Sequence, residues 1–259
     1  MGYEEAHAYL ESLGIDAMKS MRPSMERIEA ICDLMNHPER EAPAIHITGT
    51  NGKTSTARLA ASLLVATGLR VGTYTSPHLQ TMRERISLNG EPIDKDTFGD
   101  VFDHIKPYIE VVEQQVGSRL SYFEALTAMF FLWAADAPVD AMVVEVGLGG
   151  SWDATNVVPG RVACVTNVGL DHTGLFGGDG GTLAKCSCGH RGPSRRRRCL
   201  VDRPRTRFRH QRQPGRVRGT LSIARYVVSA LPGVVRATSR QASGSQRSDR
   251  VRGDEPFLA

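Results

Sequence analysis

Ala44-Ile45-His46-Ile47-Thr48-Gly49-Thr50-Asn51-Gly52-Lys53-Thr54-Ser55-Thr56 is the stretch that decides the fold. A short apolar, β-branched run stops at Gly49, a second glycine precedes Lys53 and Thr54, and a helical pattern follows. A strand, a glycine turn and a helix N-terminus in that order cradle the phosphates of a nucleoside triphosphate. Gly49 and Gly52 let the backbone turn tightly and aim its N–H groups at phosphate oxygens. The nucleotide-binding residues expected on this basis are Gly49, Thr50, Asn51, Gly52, Lys53, Thr54 and Ser55. Lys53 reaches the β/γ-phosphates, and the Thr54 hydroxyl can ligate Mg²⁺. The strict form of the pattern has a glycine where this chain has Ile47. The strand–loop–helix context carries the assignment instead.

Outward from the loop, the pattern alternates strands and helices. Tyr3–Leu13 and Ser24–Met35 read as helices, and a helix after the loop runs to about Thr67, stopping at Gly68. Arg70–Thr75 reads as a strand, Ser76–Arg85 as a loop, and Arg85–Ile93 as a hairpin turning at Asn89-Gly90. A helix starts near Asp94 or Asp96. Ser121 with Glu124 forms a capping box that opens an apolar helix through Ala135. Val139–Val146 and Val162–Val168 are apolar runs of the kind found in buried parallel strands. The expected fold is α/β, a doubly wound, mostly parallel sheet flanked by helices, with a phosphate loop after its first strand.

The pattern stops near residue 180, and so does the charge balance. Of the 259 residues, 186–259 hold 18 Arg, no Lys and 4 acidic residues, a net of +14. Residues 1–185 hold 14 basic and 24 acidic residues, a net of −10. The overall +4 averages an acidic body with an arginine tail. No signal peptide opens the chain and no apolar run reaches membrane-spanning length. Cys32 and Cys164, the two cysteines of the body, read as reduced core thiols of a cytoplasmic protein.

Chemistry collects at strand ends. Glu145 closes Ala141-Met142-Val143-Val144 and precedes Gly147-Leu148-Gly149-Gly150. A carboxylate there sits on the ligand rim of a parallel sheet, where a nucleotide site needs one to hold Mg²⁺. Asp171-His172 follows the next strand in the same way, and Ser76-Pro77-His78-Leu79 follows the second strand. Asp153-Ala154-Thr155-Asn156 reads on chemistry alone as a polar turn. Cys186, Cys188, His190 and Cys199 invite a zinc reading, but their spacing is not that of a structural zinc site.

Taken together, these segments resemble the folylpolyglutamate synthase/dihydrofolate synthase family of the Mur ligase superfamily. The resemblance is carried by Thr48–Thr54, Thr75–Leu79 with Glu84-Arg85-Ile86, and Ser121–Thr127. It continues through Glu145–Gly150, Asp153–Asn156 and Thr166–His172, so it spans the chain to about residue 175. It implies a P-loop ATP-binding domain like the Mur ligase central domain over residues 1–180. The implied activity is an ATP-dependent amide ligase: the γ-phosphate moves to a folate or dihydropteroate carboxylate, and the amine of L-glutamate attacks the acyl phosphate. The implied cofactors are ATP and Mg²⁺. By motif position, Lys53, Glu145 and His172 are catalytic, and Thr54, Ser76, Glu145 and His172 ligate metal. Ser76, Pro77, His78, Phe123 and Asp153 lie on the acceptor side. The implied protein is a cytoplasmic monomer, with no membrane or nucleic-acid partner.

Two departures stand out. Ser151-Trp152 stands where many members have arginine after the paired glycines. The family also continues past Asp-His with Glu-Lys-Ala-Gly and a second α/β domain, and neither is present here. Lys185 lies near the place of that lysine, but its neighbours do not match, so no role is carried to it. Residues 181–259 are therefore read as an Arg-rich, non-homologous tail, frameshifted or disordered, in place of the second domain. A shifted reading frame accounts best for many arginines without lysine; a nucleic-acid-binding tail and a disordered linker are the other readings. On this basis the chain is expected to bind ATP but not to complete ligation. Two alternatives stand beside the folate reading: another Mur-type amino-acid ligase acting on a cell-wall precursor, and a non-catalytic, nucleic-acid-binding product of the basic tail.

Overall fold

The computed structural model describes residues 2–14, 24–149, 152–167 and the backbone of 198–201. Its helices are α1 (Tyr3–Ser12), α2 (Glu26–Leu34), α3 (Lys53–Ala66), α4 (Lys95–Val116) and α5 (Tyr122–Asp136). Its strands are β1 (Ala44–Thr48), β2 (Val71–Tyr74), β3 (Ile86–Leu88), β4 (Glu91–Pro92), β5 (Ala141–Glu145), β6 (Val162–Val165) and β7 (Arg198–Val201). They form one sheet in the order β4-β3-β2-β5-β1-β6-β7. The strands from β2 to β7 in that order run parallel, and β3 and β4 add an antiparallel hairpin at one edge. Its turn is Asn89-Gly90 with both residues at positive φ, 54° and 94°, as a type I′ turn requires.

Period-2 alternation divides the core between the two faces of the sheet. Ile45, Ile47, Ala141, Val143, Val162 and Cys164 pack with Ala57, Ala60, Ala61 and Leu64 of α3. Met142, Val144 and Tyr74 face the other way, onto α5, which is backed by α1, α2 and α4. Helix α5 is buried from Glu124 through Ala134, so its apolar residues run all round it instead of along one stripe. Phe130 stacks on Tyr74 with ring centroids 5.3 Å apart, tying this helix to β2.

Helix starts follow their caps. Asp94 accepts from Thr97 N at the head of α4, and the Ser121–Glu124 capping box is complete at the head of α5. Strands β2, β5 and β6 are two to three residues shorter than the runs read from the sequence, because terminal residues bond to loops. Arg70 N, for example, donates to the Asp140 carboxylate at 2.8 Å. Glu124 does more than cap. Its carboxylate also takes Arg27 of α2, with Arg27 Nε 3.0 and 3.2 Å from its two oxygens.

Four residues of the segment expected to be a disordered tail are described. Arg198–Val201 pairs in parallel with Val162–Val165 as β7. An open strand edge offers unpaired N–H and C=O groups to any extended run, and Cys199-Leu200-Val201 is a short apolar one. His172, Lys185, Cys186, Cys188 and His190 lie outside the described residues. Among the described residues, no helix is long and apolar enough to cross a membrane. Cys32 and Cys164 are buried, as expected of core thiols.

Candidate nucleotide and acceptor site

The C-terminal ends of β1, β2, β5 and β6 meet on one rim, where open parallel sheets bind ligands. The phosphate loop leaves β1 there. Gly49 adopts φ +139° and Gly52 φ +77°, conformations that exclude most side chains. Gly52 is the N-cap of α3; no side chain caps this helix, and its first turn carries no acidic residue. The first amides of a helix have no partner within it, so Lys53, Thr54 and Ser55 offer theirs to an anion.

The end of β6 pins the loop. Thr50 N donates to Asn167 O at 3.0 Å, and Asn51 N donates to Asn167 Oδ1 at 2.9 Å. The Thr166 hydroxyl donates to Asn51 O at 2.7 Å. Lys53 curls over the same loop, with Nζ donating to Gly49 O at 2.8 Å.

Glu145 is the hub. It is 1% exposed, yet both of its oxygens are used. Thr54 Oγ1 donates to Oε1 at 2.8 Å, and Ser76 N donates to Oε2 at 3.1 Å. Three of the four expected metal ligands, from three separate elements, therefore converge. Burial raises the Glu145 pKa, and the Ser76 amide, the Thr54 hydroxyl and the charge of Lys53 oppose that rise. A cation beside it would add to that opposition. The donors are hard oxygens, which suits Mg²⁺, an ion commonly held by one or two carboxylates together with substrate phosphates. Among the described residues, no group of three or more His, Cys, Asp or Glu side chains could cage a metal by itself. Mg²⁺ would thus rest on Glu145, Thr54 and Ser76 with the nucleotide; His172, the fourth expected ligand, is outside the described residues.

Beyond Ser76 and Pro77, the loop is tied down by Glu84. Its carboxylate accepts the amides of Leu79, Gln80 and Thr81, each at 2.9 Å. Those amides pull its pKa down to about 2. A depressed carboxyl pKa holds the loop above the ordinary value of 4.5 and lets go as pH falls towards 2. Amide exchange at Leu79, Gln80 and Thr81, followed by NMR across that window, should accelerate before the sheet amides do. His78 Nδ1 accepts from Arg85 Nε at 2.9 Å, so the His78 ring is neutral with its proton on Nε2. Burial first, and then the Arg85 charge, lower its pKa. Arg85 in turn lies over the Tyr122 ring, 5.2 Å from its centroid.

Phe123 sits in the first turn of α5 with its ring against Gly147. A Cβ on Gly147 would come within 2.5 Å of the ring's Cζ, so only glycine allows this approach. Asp153 was expected on the acceptor side. It is buried, and its carboxylate accepts the amides of Leu148 at 2.8 Å and Thr155 at 3.0 Å. Burial lifts its pKa to about 6 against the pull of those donors. What Asp153 holds is the glycine loop 147–149. Sequence reasoning missed Arg27, His46, Thr155, Thr166 and Asn167. His46 leaves a signal as a polar ring in an apolar strand, and Thr155, Thr166 and Asn167 lie in segments that carry the family resemblance.

A parallel sheet with a glycine loop after its first strand, and a carboxylate at the end of the neighbouring strand, defines a P-loop nucleotide-binding domain. The Mur ligase middle domain family matches residues 47–180, and the chain belongs to that family. The dihydrofolate synthase/folylpolyglutamate synthase of Mycobacterium tuberculosis is 48% identical over 164 residues, covering 61% of this chain and 34% of that relative. The Bacillus subtilis protein of the same name is 38% identical over 158 residues, covering 61% of this chain and 37% of its own length. A solved structure of the Mycobacterium tuberculosis folylpolyglutamate synthase complexed with ADP matches with a TM-score of 0.68 at 36% identity, over 88% of this chain and 48% of that one. The apo form of L. casei FPGS matches with a TM-score of 0.70 at 31% identity, over 92% and 53%. The resemblance to the folylpolyglutamate synthase/dihydrofolate synthase family is thereby borne out. The chain spans 34% and 37% of the length of these two curated relatives, about a third.

Proposed function

We propose that this domain binds ATP with Mg²⁺ and serves a ligase that joins L-glutamate to a folate or pteroate carboxylate. In the first step an acceptor carboxylate oxygen attacks the γ-phosphorus, the bond to the β,γ-bridging oxygen breaks, and ADP leaves. In the second the glutamate amine attacks the acyl carbon, loses a proton, and expels inorganic phosphate. Bound Mg²⁺ supplies charge neutralisation on the phosphates. The chain's own residues supply position. The amides of the Gly49–Ser55 loop orient the phosphates, and Lys53 offsets negative charge on the transferred group. Glu145 keeps the Thr54 hydroxyl and the Ser76 amide in register, and the Phe123 ring offers a flat wall to an aromatic acceptor. His172 is retained as a metal ligand.

The observation that carries this reading is the convergence of Thr54 and Ser76 on the Glu145 carboxylate, beside Lys53. The relatives named above, and an E. coli FolC structure in complex with DHPP and ADP, support the choice of acceptor. The test is positional isotope exchange in ATP labelled with ¹⁸O at the β,γ-bridge. Scrambling should require pteroate or folate and fall roughly 10²–10³-fold in Lys53→Met. Scrambling without an acceptor, or bound ATP that never scrambles, would refute the reading. Scrambling driven by a UDP-linked cell-wall precursor would favour a different amino-acid ligase. Salt-sensitive DNA binding lost on deleting 186–259 would favour the basic tail.

A further inference from the structure

His46 lies in the middle of β1 and is 1% exposed. Ile45 and Ile47 on either side of it turn to the α3 face, so His46 looks towards the α5 layer. A polar ring this deep has to be satisfied within the protein. Its Nε2 lies 2.8 Å from Thr155 Oγ1. The Thr155 hydroxyl has one proton and gives it to the Asp153 carboxylate. Its oxygen can then only accept from the ring, which places the His46 proton on Nε2. The other Asp153 oxygen accepts Leu148 N at 2.8 Å. The donors therefore converge on Asp153, His46 through Thr155 from one side and the Leu148 amide of the glycine loop from the other.

Water cannot replace a member of this relay, because Thr155 is 0% and Asp153 5% exposed. The relay ends beside Gly147, whose Cα lies against the Phe123 ring. A direct tie from β1 to this loop, Thr48 Oγ1 donating to Gly149 O, is longer at 3.3 Å.

We infer that His46 is a positioning residue for the acceptor side of the site. Through Thr155 and Asp153 it holds the Leu148 amide and keeps Gly147 against Phe123. The acceptor part of this inference rests on the proposed function; the loop-holding part does not.

The full chain carries the test, as wild type, His46→Leu, His46→Gln, Thr155→Val and the double variant His46→Leu/Thr155→Val. Hydrogen exchange of the segment containing Leu148 reads the loop, and calorimetric titration with pteroate and with ADP reads the two halves of the site. In His46→Leu and in Thr155→Val, Leu148 exchange should rise about tenfold and pteroate affinity fall about tenfold, with ADP affinity held within about twofold. The double variant should be no worse than either single, since both break one relay. Gln places an N–H close to that of Nε2 and should recover most of the loss. Unchanged Leu148 exchange, additive singles, a rise shared equally by α3, or equal loss of ADP and pteroate affinity would each overturn the inference. So would an ¹⁵N spectrum with the His46 proton on Nδ1. If wild type binds ADP but no pteroate, the proposed acceptor fails, while Leu148 exchange still decides whether the relay holds the loop.

Discussion

Alanine at position 49 should cost this domain at least about 100-fold in affinity for ADP, measured by calorimetric titration with Mg²⁺. Gly49 combines two constraints. Its φ of +139° is a conformation that side chains rarely adopt. A Cβ built there would lie 2.1 Å from Thr166 Oγ1, 2.9 Å from Asn167 O and 3.0 Å from Asn167 N. Backbone strain and overpacking each cost on the order of 1–3 kcal/mol. The atoms struck are those that hold the loop, since Thr166 and Asn167 bond Thr50 and Asn51. The loop would have to leave the end of β6 to make room. Gly52 is the control. It has φ +77°, but a Cβ there would meet no atom within 4 Å, so Gly52→Ala should lose only about tenfold. Trimming Thr166 to alanine should not rescue Gly49→Ala, because the Asn167 backbone remains in place. Equal affinity for wild type and Gly49→Ala would mean that the loop is not docked on β6 as described.

The second large effect is on stability. Arg27→Met should lower the unfolding free energy by about 3 kcal/mol, read from urea denaturation midpoints. Arg27 and Glu124 have side chains only 14% and 7% exposed, and Arg27 bonds both carboxylate oxygens through Nε. Its terminal nitrogen adds a third contact at 3.0 Å. Removing the guanidinium leaves a buried carboxylate with the Ser121 amide, at 2.7 Å, as its remaining strong donor. The loss comes mostly from that stranded charge and not from the pair's own attraction. Arg27→Met combined with Glu124→Gln should therefore recover more than half of it. An additive double variant would show that the two residues act independently. Because Glu124 also closes the capping box of α5, the pair fixes the helix turn that carries Phe123.

Much of this architecture was legible residue by residue. Asn89-Gly90 specifies a type I′ hairpin because few other pairs tolerate two positive φ angles, and the hairpin forms there. Ser121-Tyr122-Phe123-Glu124 specifies a helix start through two reciprocal bonds, and both are made. The candidate site was legible where chemistry is local to one segment, as at Gly49–Ser55, and where a strand end must face the rim, as at Glu145 and Ser76. It was not legible where a bond spans distant segments. Arg27 and Glu124 are 97 positions apart, and His46 and Thr155 are 109 apart. The Asp153 tie to Leu148 spans only five positions, but burial decides that the carboxylate turns to that amide.

The sequence alone determined the class of fold, the order of its elements, the phosphate loop and the carboxylate at the strand end. Each follows from periodicity, from glycine's freedom, or from side-chain groups acting on their own neighbours. Tertiary structure decided which strand ends meet, that Asn167 and Thr166 clamp the loop, and that Thr54 and Ser76 share Glu145. It also decided that Arg198–Val201 takes the open edge of β6. These outcomes depend on sheet order and on burial, which fix the neighbours of a group and whether water competes for its hydrogen bonds.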